Sequence, residues 1–124
     1  MEINKIGVVV FVHGSRDTSV MQTIRKVTAK LQRLLGDTYL VIQAFLQFDD
    51  TSLQKAVESL VQMGIRKIVI QPYFLFCGVH INKDLMGEIT LIKEKYPHIE
   101  FTLGKSLGDD ERIAEILADR VLGF

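Results

Sequence analysis

Two histidines in the sequence each follow an apolar stretch. His13 comes directly after the run 8–12, VVVFV, and His80 comes after the stretch 74–79. Neutral imidazoles are ligands for cobalt, nickel, iron and zinc. Two protein ligands leave most coordination positions of a metal ion open, which suits a metal held for transfer better than a structural zinc. Taken alone, each histidine is at least as well explained as a capping, core-edge or loop residue. The prediction of a metal site therefore depends on the fold bringing both rings to one crevice.

The residues after the two histidines offer groups that bind anions. Gly14 permits close approach to the backbone, Ser15 can hydrogen-bond a ligand, and Arg16 can bind a carboxylate through two parallel hydrogen bonds. The amides at the start of the following helix can also bind an anion. Lys83 adds a positive charge just after the second histidine. Spacing alone fits solvated surface cations equally well, so the role of Arg16 and Lys83 stays open on this evidence.

The other ionisable and sulfur-containing side chains have simpler explanations. His98 lies in a turn before the fourth strand and is predicted to be a surface residue. Cys77 is the single cysteine, so it cannot form an internal disulfide, and it is predicted to be a small buried thiol. Four aspartates are placed to cap helices or to favour their dipoles, namely Asp49, Asp50, Asp109 and Asp110.

Strand and helix patterns alternate four times along the chain. This alternation predicts a single α/β domain over residues 1–124, a flavodoxin-like parallel sheet with helices on both faces. The expected strand order is 2-1-3-4, which places the switch point between strands one and three, where both histidines follow. The predicted strands cover about 5–12, 39–46, 67–74 and 99–103, and the predicted helices about 19–35, 50–63, 82–95 and from 109 onward.

The sequence also predicts which residues cap the helices and which helix faces point inward. Asp17, Thr18 or Ser19 is expected to cap the first helix, and Asp50 or Thr51 the second. Apolar residues at helical spacing predict the inward faces of the first and last helices. These residues are Val20, Ile24, Val27, Leu31, Leu34 and Leu35 in the first helix, and Ile113, Ile116, Leu117 and Val121 in the last.

Composition and missing motifs narrow the function classes. The chain carries 15 basic and 15 acidic side chains, so no strong field draws it to nucleic acid or to an anionic membrane. The apolar run 6–12 is too short to span a membrane, and the sequence lacks a secretory leader, so a cytoplasmic location is expected. Nucleotide and serine-hydrolase chemistry lose their main support because GxGxxG, GxxxxGK[ST] and GxSxG motifs are absent.

Four segments together resemble a known family. They are HGSR at 13–16, AFLQ at 44–47, QPYFLFCGVH at 71–80 and SLGDD at 106–110. This pattern resembles the short form of the class II chelatases, which comprise sirohydrochlorin cobaltochelatase and its ferrochelatase and nickelochelatase relatives. HGSR alone would be weak, but HGSR with the F-x-x-G-x-H loop at this separation is specific, and the resemblance covers nearly the whole chain.

The resemblance implies a lyase of tetrapyrrole biosynthesis with a chelatase-like fold. It implies ATP-independent insertion of a divalent metal into sirohydrochlorin, with Co²⁺ favoured and Fe²⁺ or Ni²⁺ as alternatives, for cobalamin, sirohaem or a nickel tetrapyrrole. The metal is then a substrate and no cofactor is tightly bound. A homodimer is expected, with the tetrapyrrole in the cleft between subunits. The implied site consists of His13 and His80 as catalytic metal ligands, and of Gly14, Ser15, Arg16, Gln47 and Lys83 as substrate-binding residues.

One position departs from the family pattern. The family commonly has a glutamate where this chain has Gln47, and an amide is no useful base. Another group, such as Asp49 or Asp50, or water must then accept the pyrrole protons, unless this member is slow. Two other function classes stay open on this evidence: a metal or tetrapyrrole carrier without catalysis, and a flavodoxin-like module that binds an anionic ligand without metal.

Overall fold

The computed structural model describes residues 3–124, which form one four-stranded parallel sheet in the order β2-β1-β3-β4. The predicted fold class and strand order are confirmed. The elements in chain order are β1 (Ile3–Val12), α1 (Thr18–Leu35), β2 (Tyr39–Phe45), α2 (Leu53–Gln62), β3 (Ile65–Pro72), α3 (Val79–Lys95), β4 (Glu100–Leu103) and α4 (Arg112–Leu122).

The register of β1 places the loops that carry chemistry at one edge. Val12 at the end of β1 is paired with Phe45 at the end of β2. Phe11 is paired with Pro72 at the end of β3. Since the three strands are parallel and end almost level, the loops after them start side by side at the carboxyl edge of the sheet.

The side chains of β1 alternate between two cores of unequal size. Val9 and Phe11 face the larger core, on the side of α2 and α3, and Val10 faces the smaller core, on the side of α1. Helices therefore lie on both faces, as predicted. The larger core buries side chains of two helices, namely Leu53, Ala56, Val57, Leu60, Leu85, Ile89 and Ile92. The smaller core buries only Ile24 and Thr28 from α1.

Three helix starts differ from their predicted positions, and α4 begins at Arg112 instead of at about 109. Ser52, rather than Asp50 or Thr51, caps α2, and its hydroxyl oxygen accepts a hydrogen bond from the Lys55 amide at 3.2 Å. Helix α3 begins three residues earlier than expected, so His80 lies in its first turn instead of in the preceding loop. Its N-cap is glycine and makes no side-chain capping bond, so the sequence carries no polar signal at that boundary.

The predicted inward face of α4 is wrong for the isolated chain. α4 has no buried residue, and Ile116, Leu117 and Val121 are exposed. In α1, Val20, Val27 and Leu34 are exposed as well, since it is the one helix of the described chain that packs on its face of the sheet. The amphipathic pattern is present in both helices, but no described element covers these apolar positions.

No helix in residues 3–124 is both long enough and apolar enough to cross a membrane.

Candidate functional site

The backbone of His13 is fixed by the neighbouring strand. The amide of Leu46 donates to the carbonyl oxygen of Val12 at 2.8 Å, and the amide of Gln47 donates to the carbonyl oxygen of His13 at 3.1 Å. The pairing between the first two strands thus continues past the ends of β1 and β2. As a result, His13 leaves the sheet in a defined direction although it lies in a loop.

The His13 imidazole has two side-chain neighbours. Nδ1 lies 3.1 Å from Nε2 of Gln47, and the ring meets the ring of Phe74 edge to face, with centroids 6.5 Å apart and an interplanar angle of 89°. The Phe74 ring also packs edge to face on Phe11, at 6.0 Å. An amide offers both a donor and an acceptor to a ring nitrogen. In the observed orientation the amide nitrogen donates to Nδ1. Only when the amide is turned so that Oε1 accepts from a protonated Nδ1 does Nε2 of the ring keep a free lone pair for a metal.

Gly14 allows the loops after β1 and β2 to touch. Its φ is +91°, a conformation that favours glycine. A Cβ atom at this position would collide with the main-chain carbonyl oxygen of Gln47. The close approach predicted for Gly14 is therefore made by the protein's own backbone, and it holds Gln47 beside His13.

Ser15 and Asp17 shape the turn into α1. The hydroxyl oxygen of Ser15 accepts a hydrogen bond from the Asp17 amide at 3.0 Å. The Asp17 carboxylate accepts from the Ser19 amide at 2.9 Å and from the Ser19 hydroxyl at 2.7 Å, so Asp17 is the predicted cap. These bonds hold the pKa of Asp17 below its usual range. One of the helix-start amides predicted to bind an anion is therefore already satisfied.

Arg16 stacks on an aromatic residue that the sequence did not reveal as part of the site. Its guanidinium carbon lies 4.9 Å from the centroid of the Phe48 ring. Phe48 has a φ of +64°, and half of its surface is exposed. A cavity of about 500 Å³ lies here, lined among others by Arg16, Arg25, Phe48 and Asp49. Arg16 and Phe48 are far apart in the chain, so only the 2-1 strand order and the loop conformation bring them together.

His80 and Lys83 are held differently from His13. Both side chains are exposed and lie three residues apart near the start of α3, on one side of the helix. The His80 imidazole forms no hydrogen bond, ion pair or ring contact with any residue of the described range 3–124. Its position is set by the start of α3 alone.

The structure brings some predicted site residues into contact and leaves others apart. His13, Gly14 and Gln47 are contiguous, whereas His80 follows the adjacent strand. The cavity beside His13, of about 390 Å³, is lined by residues of β1, α1 and the loop after β3, and His80 is not among them. No group of three or more His, Cys, Asp or Glu side chains able to hold a metal occurs within residues 3–124. A metal shared by the two imidazoles therefore stays a prediction.

The remaining candidates agree largely with expectation. His98 is exposed, as predicted. Cys77 is a free thiol but only partly buried, so its predicted burial is incomplete. Asp110 accepts hydrogen bonds from the Arg112 amide and guanidinium, at 2.9 Å each, and these hold its pKa at about 2. Asp110 therefore contacts the first residue of α4, but the N-cap is Glu111, which makes no side-chain capping bond, so the prediction that Asp110 caps the helix or lies in its first turn is wrong.

Comparison with known proteins points to one family. A model of the CbiX family matches residues 7–123. The chain is 30% identical over 123 residues to the sirohydrochlorin ferrochelatase of Priestia megaterium, covering 97% of this chain and 45% of that protein. It is 31% identical over 115 residues to the sirohydrochlorin cobaltochelatase of Sulfurisphaera tokodaii, covering 93% of this chain and 90% of that protein.

A solved structure gives the same fold. The sirohydrochlorin chelatase SirB from Bacillus subtilis subspecies spizizenii, in complex with cobalt, matches with a TM-score of 0.85 at 23% identity. The match covers 95% of this chain and 50% of that chain. The chain thus spans about half the length of SirB and of the Priestia protein, and nearly the whole length of the Sulfurisphaera protein.

Proposed function

The chain belongs to the CbiX family, and we propose on that premise that it inserts a divalent metal ion into sirohydrochlorin without ATP. Co²⁺ is the favoured metal, with Fe²⁺ and Ni²⁺ as alternatives. The observation that carries the proposal is His13, oriented by Gln47 and Phe74 at the carboxyl end of the central strand, one strand away from the segment that leads to His80. The relatives named sirohydrochlorin cobaltochelatase and ferrochelatase support this choice of substrate.

In this mechanism the metal first binds His13 and His80 as neutral imidazoles. The Gln47 amide, whose Nε2 lies 3.1 Å from Nδ1 of His13, turns so that its oxygen accepts from Nδ1–H, and Nε2 of the ring then binds the metal. Two protein ligands leave the other coordination positions to water. Pyrrole nitrogens replace these waters one at a time, and the histidines release the metal at the end.

The carboxylates of sirohydrochlorin meet the cations at the same edge of the sheet. The contact with the Phe48 ring places the Arg16 guanidinium at this edge, where its N–H groups bind a carboxylate. Lys83, one helical turn from His80, holds a second carboxylate as a point charge. The Ser15 hydroxyl, which accepts a bond within the turn, retains its hydrogen for donation to the substrate.

Two pyrrole protons must leave during insertion, and Gln47 cannot accept them because an amide is not a base at neutral pH. We assign their removal to water, assisted by Asp49. This carboxylate lines the same cavity as Arg16 and accepts a hydrogen bond from the Thr51 amide at 2.8 Å. Asp50 is not among the lining residues of that cavity.

We further propose that two copies of the chain pair and bind the tetrapyrrole between them, in the cytoplasm. The cations and the His13 imidazole lie at an open edge of one domain, which cannot enclose a flat macrocycle by itself. The chain matches SirB over about half of that longer protein, which is consistent with two such domains per functional unit.

A spectroscopic assay tests the function. Purified protein is mixed with an excess of sirohydrochlorin and Co²⁺ without ATP, and the visible spectrum is followed. We expect many turnovers per protein molecule at a rate well above the protein-free rate. Insertion no faster than the protein-free reaction would contradict the proposal.

One observation favours a second candidate function, a metal or tetrapyrrole carrier. The side chain beside His13 is the neutral amide of Gln47, so the site lacks a base in contact with the metal ligand. A carrier would bind metal and tetrapyrrole with defined stoichiometry and stop after one equivalent. The same assay under substrate excess separates the two functions.

A further inference from the structure

The last helix presents an apolar face that nothing in the described chain covers. Ile116 is 52% exposed, Leu117 61% and Val121 86%, and Leu122 beside them is 71% exposed. These residues recur at helical spacing, as in a helix that packs against a core. A contiguous apolar stripe of this length on a helix marks a surface that is buried in the working molecule.

A matching groove lies on the smaller core. Its volume is about 830 Å³, and it runs along α1 beside the end of β3 and the loop after β4. Its floor includes Val10 of the central strand and Tyr73. The apolar wall from α1 consists of Val27, Leu31 and Leu34. The groove occupies the place where a second helix would complete this face of the sheet, since α2 and α3 both lie on the opposite face.

The loop between β4 and α4 lines this groove, whereas no residue of α4 does. The carbonyl oxygen of Lys105 accepts a hydrogen bond from Gln71 Nε2 at 2.7 Å, and the amide of Leu107 donates to the Phe74 carbonyl at 2.9 Å. The Asp110 carboxylate binds both the amide and the guanidinium of Arg112 at the helix start. α4 begins at Arg112, at the end of this network, and none of its residues lines the groove.

We propose that α4 of a second copy of this chain occupies the groove, and that the exchange is reciprocal. A reciprocal exchange covers both the apolar helix face and the apolar groove in each copy, as a closed twofold contact does. An unrelated partner in the groove would leave α4 uncovered. The proposal deepens the pairing of two copies proposed above and rests on it.

The charges along the two surfaces are complementary. Lys26 and Lys30 line the rim of the groove, one helical turn apart on α1. Glu115 and Asp119 are also one turn apart on α4, and both are exposed. When α4 lies alongside α1, two opposite-charge pairs form at the same spacing. These pairs set the register of the helix in the groove.

A matched pair of leucine variants tests the contact. Leu117 on α4 and Leu91 on α3 are both 61% exposed, but only Leu117 lies on the proposed interface. We expect Leu117→Asp to raise the dimer dissociation constant at least ~100-fold, because the leucine is lost from both halves of the contact. Leu91→Asp should leave it unchanged. Sedimentation across a concentration series measures both, and equal effects of the two variants would overturn the proposal.

A cross-linking experiment distinguishes exchange between chains from packing within one chain. In a Cys77→Ala background, Val27→Cys and Leu117→Cys are made separately and together. A short bismaleimide should join the two single variants only when they are mixed, and should convert the double variant into covalent dimers. An internally cross-linked monomer from the double variant, or no cross-link in the mixture, would overturn the exchange.

Charge reversal provides the last check. Lys26→Glu with Lys30→Glu should weaken the dimer about tenfold, and adding Glu115→Lys with Asp119→Lys should restore it. Weakening without restoration would contradict the proposed register. These association measurements contain no metal and no tetrapyrrole, so they test the helix exchange separately from the chemistry. A protein that sediments as a monomer but inserts cobalt in the spectroscopic assay would refute the helix exchange and leave the proposed function intact.

Discussion

The loops after β1 and β3 hold their histidines in contrasting ways. His13 is held by the backbone bond from Gln47, by the contact of that residue's amide with Nδ1, and by the ring of Phe74. His80 stands exposed in the first turn of α3, which has no side-chain cap. A metal-transfer site needs one ligand that defines the position of the metal and another that can release it. The anchored and the exposed histidine match these two requirements.

Removing either imidazole is the most severe test of this comparison. We expect His13→Ala and His80→Ala each to slow cobalt insertion by more than ~100-fold, which exceeds the usual effect of losing an outer-sphere partner. His98→Ala is the control, because His98 is exposed and lies before β4 at the opposite edge of the sheet. Initial rates from the visible spectrum measure all three variants. A His80→Ala protein as fast as the unmodified chain would remove His80 from the mechanism.

Glycines in the two loops allow a paired stability test. In Gly14→Ala the new Cβ meets the Gln47 carbonyl at a φ of +91°, so the free energy of unfolding should fall by about 1–3 kcal/mol. Gly78 has a φ of −63° and open space around its Cβ position, so Gly78→Ala should change it by less than about 0.5 kcal/mol. Urea unfolding measures both. Equal destabilisation would show that the first loop is no more constrained than the second.

The Gln47 side chain tests how His13 is oriented. In Gln47→Leu the imidazole loses its hydrogen-bond partner, so the affinity for Co²⁺ should fall about tenfold. The exposed Gln54 on α2 provides a matched control, and Gln54→Leu should have no effect. Titration of the His13 ring resonances with Co²⁺ gives both affinities. Unchanged affinity in Gln47→Leu would mean that the amide does not select the tautomer.

A smaller effect is expected for the aromatic contact. Phe74→Leu removes two edge-to-face contacts, with Phe11 and His13, and should lower the free energy of unfolding by about 1 kcal/mol. Phe76 in the same loop is 69% exposed, so Phe76→Leu should cost less than about 0.5 kcal/mol. Urea unfolding and the chemical shifts of His13 provide the two readouts. A His13 spectrum insensitive to Phe74→Leu would contradict the anchoring role of the ring.

Acidification should affect the starts of α1 and α3 differently, and this is the smallest of the expected effects. Ser19 holds the pKa of Asp17 below its ordinary value of 3.8. The folded pKa is the lower one, so the cap contributes its full stabilisation above pH 3.8 and loses it as the pH falls through the folded value. Chemical shifts should therefore report loss of the first turn of α1 before that of α3. The Asp17→Asn protein should lack this transition, and its persistence there would refute the assignment.

Much of the fold follows from local patterns. The apolar run before His13 identifies the central strand, and the alternation of elements fixes parallel pairing, so the sequence predicts that the loops after β1 and β3 are neighbours. The sequence predicts the start of α3 three residues too late because its N-cap is glycine, which gives no polar signal. For α4 the sequence predicts an apolar face, but the period of a helix does not indicate which molecule covers that face.

The sequence predicts which residues belong to the candidate site better than it predicts which of them touch. The motif after β1 indicated His13 and Gly14, and the end of β2 indicated Gln47. The stack of Arg16 on Phe48 depends on a positive φ at Phe48, which no residue type in that loop requires. The joint position of His13 and His80 depends on side chains of two separate loops, and it stays a prediction.

The contact between Gly14 and residue 47 uses only the main-chain carbonyl of the latter. This main-chain contact is therefore kept when the side chain at position 47 changes, and only the hydrogen-bond partner of the imidazole is altered. A carboxylate at position 47 would raise the basicity of the His13 imidazole and its affinity for a metal ion. The amide of Gln47 keeps that affinity lower. The residue type at position 47 thus sets the balance between tight metal binding and fast metal release.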